Sequence, residues 1–394
     1  MLLEPVDPNE RFRARRRQAR RRRAIRQTGL LAVIAVTAAG LTLGARFLTV
    51  RDTKSPAAKP SSPAAAPAEP KPEPRPYPDE MRGVHVTMAL ASLDGKIDEY
   101  LTLTKHGLNT LELDIKDENG EVGFRQPGVK LAKQVGAAQG YYNPRRVATA
   151  AHAKGVYLIG RVVCFEDPVL SEQRPEYAIR YRGGGVWHNA AGLGWTNPHN
   201  KRVWEYNVDL GVAAAKAGFD EIQFDYVRFP TDGDISAAVY NPRQNLSKPK
   251  VIASFLEYAA ERLRPLGVRV SADLFGLSAT RNMGIGQRPI LLAREVDALY
   301  PMVYPSHFGP GEYNLPDPNA QPGRTVALAL RDFDVAMRGS GARLVPWLQD
   351  FSLGRTYTLD DVRDQIQAAR DAGAEGFLLW NAGGVYTHRA LAAP

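Results

Sequence analysis

The chain has 394 residues, 44% of them hydrophobic and 24% charged, which is the composition of a globular protein with a large apolar core. The net charge of +9 is unevenly distributed, because ten arginines between Arg11 and Arg26 stand against three acidic residues in positions 1–27. The basic character therefore belongs to a tail and gives no reason to expect nucleic-acid binding, and the single cysteine, Cys164, excludes an intrachain disulfide.

A membrane anchor is predicted directly after the basic tail of residues 1–27. Residues 28–48 are mostly apolar, start just after Arg26, and are long enough to cross a bilayer core. Because arginines precede this run, the positive-inside rule puts the N-terminus in the cytoplasm and the rest of the chain on the other side. The tail is expected to contact anionic membrane lipids. A cleaved secretory signal is the alternative interpretation.

A tether is predicted between the anchor and the folded domain. Residues 49–80 are rich in proline and alanine and contain almost no bulky apolar side chains. Such a composition predicts a disordered, extended linker with polyproline character. The folded domain is therefore expected over residues 81–394, held away from the membrane.

A repeating pattern of helix, glycine turn and apolar strand begins at residue 81. The opening strand is residues 82–88, and the further strands lie within 105–117, 153–165, 216–230, 265–276, 293–305, 339–351 and 371–381. Strands that alternate with helices form a parallel sheet, and eight such units close an α/β fold of the (β/α)8 TIM-barrel type. The long strand-to-helix joins are residues 117–142, 165–199, 229–248 and 305–324. In this fold such loops build the functional site at the C-terminal ends of the strands.

Alternation along the predicted strands places polar side chains inside the barrel. In strand four the side chains expected to face the helices are Ile222, Phe224 and Tyr226, and those expected to face the lumen are Glu221, Gln223 and Asp225. The same rule predicts these further inward residues: Gly83, His85, Thr87, Glu112, Asp114, Lys116, Arg161, Arg269, Ser271 and Asp273. Because charges in a lumen cost desolvation free energy, this departure from apolar packing indicates a functional site. A buried structural network, with Asp114 bound to Lys116 or Asp225 to Arg161, is the alternative.

Carboxylates gathered at one barrel mouth suit glycoside hydrolysis. One carboxylate acts as nucleophile or base, and another, kept protonated by burial, acts as the acid. Asp225 fits the first role and Asp273 the second, while Glu166 and Asp167 after strand three are alternative acids. A carboxyl separation of about 5 Å predicts a retaining reaction, and one of roughly 6.5–9.5 Å an inverting reaction.

Side chains suited to sugar binding lie near the predicted strand ends. Aromatic rings stack on the apolar faces of sugars, while amides, carboxylates and guanidinium groups bind their hydroxyls. The candidate substrate-binding residues are His85, Asp114, Arg161, Gln223, Arg228, Trp195, Tyr304, Trp347, Trp380 and Asn381. The expected partner is a polysaccharide or oligosaccharide, and no cofactor is expected.

Several segments of the barrel resemble a bacterial family of glycosyl hydrolase domains of largely unknown function. The resemblance rests on RGVHVT, LELDIKDENGEV, AKGVYLIGRVVCFEDP, WTNP, GFDEIQFDYVRFP, SADLFG, YPMVYPSH and GFLLWNAGG, and it spans about residues 82–390. The family is distantly similar to alpha-amylase-type barrels, in which a nucleophilic Asp ends strand four, a general acid ends strand five and a further Asp ends strand seven. The resemblance thus implies catalytic roles for Asp225, Asp273 and Asp350.

The sequence departs from that pattern at particular positions. Strand five ends in Asp273 where Glu is usual, and Gln223 stands where Arg is usual. If Trp347 and Gln349 point inward, Asp350 points outward, so it would reach the site only from the following loop.

Two other functions are compatible with the sequence. A carbohydrate-binding barrel without catalysis keeps the aromatic side chains and needs no acid. A metal-dependent deacetylase or hydrolase needs clustered ligands, whereas strand one carries His85-Val86-Thr87 in place of a His-x-His pair. The favoured prediction is a membrane-anchored glycoside hydrolase that acts on a cell-envelope or extracellular polysaccharide.

Overall fold

The computed structural model describes residues 72–125, 128–240 and 246–392. The predicted basic tail 1–27, the predicted anchor 28–48 and most of the predicted linker 49–80 lie outside the described residues. Within the described ranges, none of the helices has the length and apolar character of a membrane span.

Eight parallel strands form the barrel that the repeat predicted. In chain order they are β1 (Met81–Val86), β2 (Thr110–Lys116), β3 (Tyr157–Val163), β4 (Glu221–Asp225), β5 (Arg269–Phe275), β6 (Ala298–Met302), β7 (in two pieces, Arg343–Leu344 and Trp347–Gln349) and β8 (Gly376–Trp380). Each strand pairs with its successor, and β8 pairs with β1, so the sheet is closed. The carboxyl ends of all the strands therefore meet at one mouth.

The seventh strand is interrupted. Its first piece pairs with β6 through Arg343 and Leu344, whereas its second piece meets β6 at a single residue, Trp347, opposite Met302. Pro346 lies between the two pieces and has no N–H to donate to the ladder. The second piece is held mainly by β8, with which it pairs along its whole length.

The helices surround the strands. They are α1 (Met88–Ala91), α2 (Lys96–Leu101), α3 (Lys130–Gln134), α4 (Pro144–Ala153), α5 (Pro168–Gln173), α6 (Lys201–Ala215), α7 (Lys248–Leu263), α8 (Pro289–Leu292), α9 (Pro322–Met337) and α10 (Leu359–Asp371). Asn143 and Asn200 start α4 and α6 by accepting a first-turn N–H, and Thr358 starts α10 in a capping box with Asp361. After β8 the described chain forms a 3-10 turn, His388–Ala390.

Apolar side chains fill two layers. The layer between strands and helices contains the outward residues expected from β2 and β4, among them Leu111, Leu113, Ile115, Ile222 and Phe224. A second cluster fills the lumen and includes Met81, Tyr157, Ile159, Tyr300, Val345 and Leu378. In β3, Tyr157 and Ile159 belong to this apolar cluster in the lumen, and Arg161 is the next inward residue along the strand. The charged lumen residues therefore lie between the apolar cluster and the mouth.

Two predicted orientations are wrong for local reasons. The register between β2 and β3 shifts after Asp114, so Lys116 leaves the lumen; its Nζ instead lies 3.2 Å from the Cys164 carbonyl and 2.6 Å from the Asp167 carboxylate. The predicted alternative pair of Lys116 with Asp114 is therefore replaced by Lys116 with Asp167. Tyr226 follows β4 with φ of 48°, a left-handed conformation that ends the strand alternation and brings the side chain to the mouth.

Residues 72–80 pack under the N-terminal end of the barrel. The Tyr77 ring lies 5.4 Å from the Tyr157 ring, and the guanidinium carbons of Arg269 and Arg343 lie 4.2 and 4.4 Å from its centroid. Glu80 forms an ion pair of 2.6 Å with Arg370. The folded domain thus begins before residue 81, within the segment expected to be a tether.

The long loops after β3 and β4 are tied to each other at the mouth. Arg180–Tyr181 and Ala238–Val239 form a short antiparallel ladder between the two loops. A bridge between Glu166 and Trp195 closes the loop after β3 on itself. One wall of the mouth is therefore a braced structure.

Candidate active site

A cavity of about 440 Å³ opens at the C-terminal mouth of the barrel. It is lined by Arg161, Asp225, Tyr226, Arg228, Asp273, Phe275, Gly276, Leu277, Met283, Met302, Tyr304, His307, Phe308, Trp347 and Trp380. The sequence-predicted site residues among these are Arg161, Asp225, Arg228, Asp273, Tyr304, Trp347 and Trp380. Strand alternation thus identified Arg161, Asp225 and Asp273, three of the charged groups that line the cavity.

Asp225 is fixed at the end of β4 by charge-assisted hydrogen bonds. Arg161 donates to its Oδ2 from Nε at 2.9 Å and from Nη2 at 2.6 Å. The Tyr226 N–H donates to its Oδ1 at 2.6 Å, a contact made within the left-handed turn at that residue. These donors stabilise the negative charge of the carboxylate and hold it in one orientation.

A buried polar network behind Asp225 connects β1, β2 and β3. Arg161 Nη1 donates to Asp114 at 2.7 Å, and His85 is hydrogen-bonded to Glu112. Burial alone would lower the pKa of His85, but the negative charges of Glu112 and Asp114 outweigh it and raise that pKa. His85 and Asp114 are nearly inaccessible and do not line the cavity; Asp114 positions Arg161 directly, and His85 lies behind it, 3.7 Å from Asp114.

Asp273, on β5, is a buried carboxyl group in the same cavity. Burial, and then the charge of Asp225, raise its pKa well above the ordinary range. Trp347 Nε1–H donates to its Oδ1 at 2.7 Å. The two carboxyl groups therefore differ in their electrostatic setting, because Asp225 is bound by a guanidinium group and the pKa of Asp273 is raised by burial and by the charge of Asp225.

Aromatic side chains line the cavity next to these carboxyl groups. The Trp347 and Trp380 rings meet edge to face with centroids 5.6 Å apart. Trp380 also stacks on His85 at 4.4 Å and lies 5.4 Å from the guanidinium carbon of Arg161. Burial raises the pKa of Tyr304 well above its usual value, so its hydroxyl stays protonated and can donate a hydrogen bond.

Arg228 lies in a cage of aromatic rings. Its guanidinium carbon is 4.9 Å from the centroids of Trp195 and Tyr226 and 4.6 Å from that of Phe275. Its Nη1 donates to the Phe229 carbonyl at 3.1 Å. Trp195 is fully buried and does not line the cavity, so it supports Arg228 from behind.

Three further predicted residues do not reach the cavity. Gln223 is fully buried in the lumen beneath it. Asn381 shapes the turn after β8, where its Oδ1 accepts the Gly383 N–H at 2.8 Å. Asp350 accepts both the backbone N–H (2.7 Å) and the hydroxyl (2.6 Å) of Thr387, and burial raises its pKa to about 6. Its carboxylate fixes the C-terminal segment, because residue 350 points away from the lumen as the alternation of β7 indicated.

The two alternative acids after β3 have different environments. Asp167 is fully buried, pairs with Lys116 and accepts the Leu170 N–H at 2.8 Å at the start of α5. Glu166 accepts a hydrogen bond of 3.2 Å from Asn189, and burial raises its pKa to about 7. Neither residue lines the cavity.

Several apolar lining residues were not predicted. Phe275 ends β5, and Leu277 and Met283 lie in the loop that follows it, while Met302 and Phe308 flank the end of β6. Strand alternation gives no information about how a loop folds back over the mouth. The available signal was the run SADLFGL, in which apolar residues continue beyond the strand into the loop.

A larger cleft, of about 970 Å³, lies outside the barrel where the loop after β2 meets α6. Tyr141, Arg145 and Lys216 are among its lining residues, and the predicted site residues are not. Because the strand-end carboxyl groups converge on the smaller cavity, that cavity is the candidate active site.

Several histidines of the described residues, which are candidate metal ligands, are engaged with other side chains. His85 is bound to Glu112, and the His106 and His388 rings contact each other in a tilted arrangement with centroids 4.4 Å apart. Across residues 72–125, 128–240 and 246–392, no group of three or more His, Cys, Asp or Glu side chains is arranged to hold a metal ion. A metal-dependent hydrolase has no candidate ligand set in these ranges.

Comparisons with known proteins agree with this architecture. The model of the family described as "Putative glycosyl hydrolase domain" matches residues 83–386. A hypothetical protein from Ruminiclostridium thermocellum ATCC 27405 is 36% identical over 48% of this chain and 96% of its own, with a TM-score of 0.45. The PgaB (BpsB) glycoside hydrolase domain from Bordetella bronchiseptica is 14% identical over 77% of this chain and 95% of its own, with a TM-score of 0.56. A comparison with curated proteins found no match.

A third solved structure has the same fold. The exo-β-N-acetylglucosaminidase from Vibrio harveyi is 12% identical over 81% of this chain and 54% of its own, with a TM-score of 0.50. At these identities the likeness to both enzymes is one of fold, and it agrees with a (β/α)8 barrel.

Proposed function

The chain belongs to this family of glycosyl hydrolase domains, and we propose that it hydrolyses glycosidic bonds of a polysaccharide with Asp225 as nucleophile or base and Asp273 as general acid. The observation that carries the proposal is the unequal pair of carboxyl groups in one cavity. Asp225 accepts two hydrogen bonds from the guanidinium group of Arg161. Asp273 has a pKa raised well above its usual range by burial and by the charge of Asp225.

This pair has the properties that glycoside hydrolysis requires. The proton of Asp273 moves to the glycosidic oxygen as the bond between that oxygen and the anomeric carbon breaks. Asp225 either bonds to the anomeric carbon, with water displacing it in a second step, or removes a proton from the water that attacks directly. Arg161 keeps the carboxylate in place throughout, because Asp114 holds the guanidinium group from the other side at 2.7 Å.

The aromatic lining supports a carbohydrate substrate. The edges and faces of Trp347 and Trp380 and the hydroxyl of Tyr304 offer both apolar contact and hydrogen bonding to a sugar ring.

The proposed location of the enzyme rests on the sequence. The apolar run 28–48 after an arginine-rich tail would anchor the chain with the barrel on the extracytoplasmic side, where envelope polysaccharides are found. The tail itself would bind anionic lipids. Protease added to intact cells should then remove the barrel, and a barrel that is degraded only after lysis would contradict this topology.

The catalytic proposal is tested by reducing-end release. The full-length protein is incubated with a panel of envelope and storage polysaccharides beside Asp225→Asn, Asp273→Asn and Asp209→Asn. Loss of either proposed catalytic carboxyl should lower turnover by about a thousandfold or more. Asp209 lies on α6, outside the cavity that holds the carboxyl pair, and its variant should retain activity.

A different outcome would favour the second function. If the wild-type protein releases no reducing ends but is retained by a polysaccharide, and Asp225→Asn is retained equally, the barrel is a carbohydrate-binding protein. Release that survives both Asp225→Asn and Asp273→Asn would contradict the assigned residues and leave the hydrolase function standing.

A further inference from the structure

Arg228 is a buried cation in the cavity, and none of the carboxylates of the described residues forms an ion pair with it. Its side chain is 6% exposed, yet it lines the cavity. One hydrogen bond, from Nη1 to the Phe229 carbonyl, is formed with the described residues. A guanidinium group has five N–H donors and is always charged in proteins, so most of its donors are left for a ligand.

The aromatic cage fixes this guanidinium group in place. The rings of Trp195, Tyr226 and Phe275 surround it at 4.6–4.9 Å. Cation–π contacts of this kind hold the plane of the guanidinium without using its N–H groups. Burial lowers the pKa of Arg228, which reflects the loss of hydration at this position. The side chain is therefore preorganised to bind and poorly solvated before it does so.

The second arginine of the cavity provides an internal comparison. Arg161 forms ion pairs with four carboxylates, of which Asp114 at 2.7 Å and Asp225 at 2.6 Å are the nearest and Glu118 and Glu112 lie at 3.8 and 3.9 Å. Arg228 forms no ion pair within the described part of the chain, and the charges of Glu166, Asp225 and Asp232 act on it only over longer distances. Glu166 does not fully offset it at neutral pH, because burial raises the pKa of Glu166 to about 7.

We propose that Arg228 binds an oxyanion substituent of the substrate, the carboxylate of a uronic acid or a sulfate ester, so that the enzyme acts on an acidic polysaccharide. The inference rests on the proposed function and deepens it by naming the substrate class. A buried, unpaired cation is costly in the free protein, and an oxyanion that accepts two parallel N–H···O bonds removes that cost. A neutral sugar hydroxyl would bind one donor and leave the charge uncompensated.

The proposed oxyanion-binding site lies close to Asp225 because Arg228 follows it closely in the sequence. Asp225, Tyr226 and Arg228 lie within four consecutive residues that leave β4, so an oxyanion on Arg228 lies close to the sugar at the reacting carboxylates. Without Arg228 an anionic sugar would be repelled by Asp225. Arg228 would thus allow a negatively charged sugar to bind next to the carboxylate of Asp225.

The test uses affinity electrophoresis of the full-length protein in gels that contain one polysaccharide each. The probes are polygalacturonate and its carboxyl-reduced form, and dextran sulfate and dextran, which separate a carboxylate source from a sulfate source. Wild type is compared with Arg228→Gln, with the conservative Arg228→Lys and with Arg338→Gln, an exposed arginine of the barrel exterior. The arginine-rich tail is identical in all of them, so nonspecific retardation cancels. Reducing-end release is measured on the same samples.

We expect apparent affinity for at least one acidic polymer to fall about tenfold to a hundredfold in Arg228→Gln, less in Arg228→Lys, and not at all in Arg338→Gln or with the neutral polymers. Equal retardation of wild type and Arg228→Gln in every gel overturns the inference. Release from neutral polymers that Arg228→Gln leaves unchanged also overturns it, while keeping the hydrolase function. If retention depends on Arg228 but no reducing ends are released, the oxyanion-binding site is supported and the proposed hydrolase function is contradicted.

Discussion

At the scale of residues, the candidate site contains two carboxyl groups in different surroundings: Asp225 is bound by Arg161, and Asp273 is buried beside Trp347. The hydrogen bond from Trp347 Nε1–H to Asp273 opposes the effects that keep Asp273 protonated, because an N–H donor stabilises the ionised carboxylate. The two tryptophans of the cavity therefore differ in their contacts, because only Trp347 forms a hydrogen bond with Asp273. Trp347 adjusts the proposed acid, while Trp380 stacks on His85.

Trp347→Phe should move the pH dependence of hydrolysis. Loss of the donor raises the pKa of Asp273 further, so the basic limb of kcat/KM against pH should shift to higher pH by up to about one unit. Trp380→Phe removes a similar ring without a hydrogen bond to Asp273, and its basic limb should stay in place. A shift to lower pH in Trp347→Phe, or equal shifts in both variants, would contradict the assignment of Asp273 as the acid.

Glu166→Gln should weaken the pH dependence of stability. Burial raises the pKa of Glu166 to about 7, so between its unfolded pKa of about 4.3 and that value the native state binds more protons than the unfolded state. Its contribution to the free energy of unfolding is full below the unfolded pKa and is lost as pH rises through the folded one. Urea unfolding of the variant between pH 5 and 8 should show a smaller decline than wild type.

Catalytic turnover of the same variant separates two roles for Glu166. We expect Glu166→Gln to keep activity within about tenfold of wild type, because the side chain does not line the cavity. A loss as large as that of Asp273→Asn would make Glu166 the acid.

Strand alternation predicted the carboxyl groups and the arginine that come from the strands, but it could not predict the loop residues that hold the site in place. Asp225, Asp273 and Arg161 occupy the inward positions that a period of two assigns to β4, β5 and β3. The cage around Arg228 depends on Trp195, a residue brought there by the loop after β3. Asp350 illustrates the opposite case, since strand alternation turned it away from the lumen although the family resemblance implied a catalytic role.

At the scale of elements, a buried ion pair joins β2, β3 and α5. Lys116 and Asp167 are fully buried and 2.6 Å apart, and Asp167 also caps α5 through the Leu170 N–H. The pair exists because β2 changes register after Asp114. It braces the base of the loop that carries Trp195.

Asp167→Asn should destabilise the protein without removing a catalytic group. Neutralising one partner leaves the Lys116 ammonium buried and unpaired, which costs about 3–5 kcal/mol in the free energy of unfolding. Asp209→Asn removes an exposed partner of Arg262 and should cost less than about 1 kcal/mol. Chemical denaturation measures both, and a loss below about 1 kcal/mol for Asp167→Asn would mean that the Lys116 charge finds another partner or solvent.

At the scale of the whole molecule, the barrel is closed at its base by a segment that precedes the first strand. Tyr77 packs on Tyr157 and between Arg269 and Arg343. Tyr77→Ala should lower the free energy of unfolding by about 2–4 kcal/mol and leave kcat within about twofold, because the site lies at the other end of the lumen. Tyr181→Ala, at an exposed rim position, is the matched control and should cost less than about 1 kcal/mol. An equal loss of unfolding free energy in the two variants would contradict a stabilising role for Tyr77 at the base of the barrel.

The barrel itself was largely predictable, and the family resemblance is confirmed by the match over residues 83–386. Eight glycine-strand units are a strong signal because each repeats the same local chemistry. The start of the domain was not readable in the same way. The segment around Tyr77 has the proline-rich composition of a tether, and only its contacts with the finished barrel reveal that it folds.

The interruption of β7 has a mechanical consequence. A closed barrel is rigid only where every neighbouring pair of strands stays hydrogen-bonded, and along the line between β6 and β7 the ladder stops at Leu344 and resumes with one pair at Trp347. Backbone amides along this line should exchange with solvent through small openings that leave the other strand pairs intact. Since Met302, Tyr304 and Trp347 lie along the same line, we expect amide exchange there to be faster than between the other strands that border the cavity.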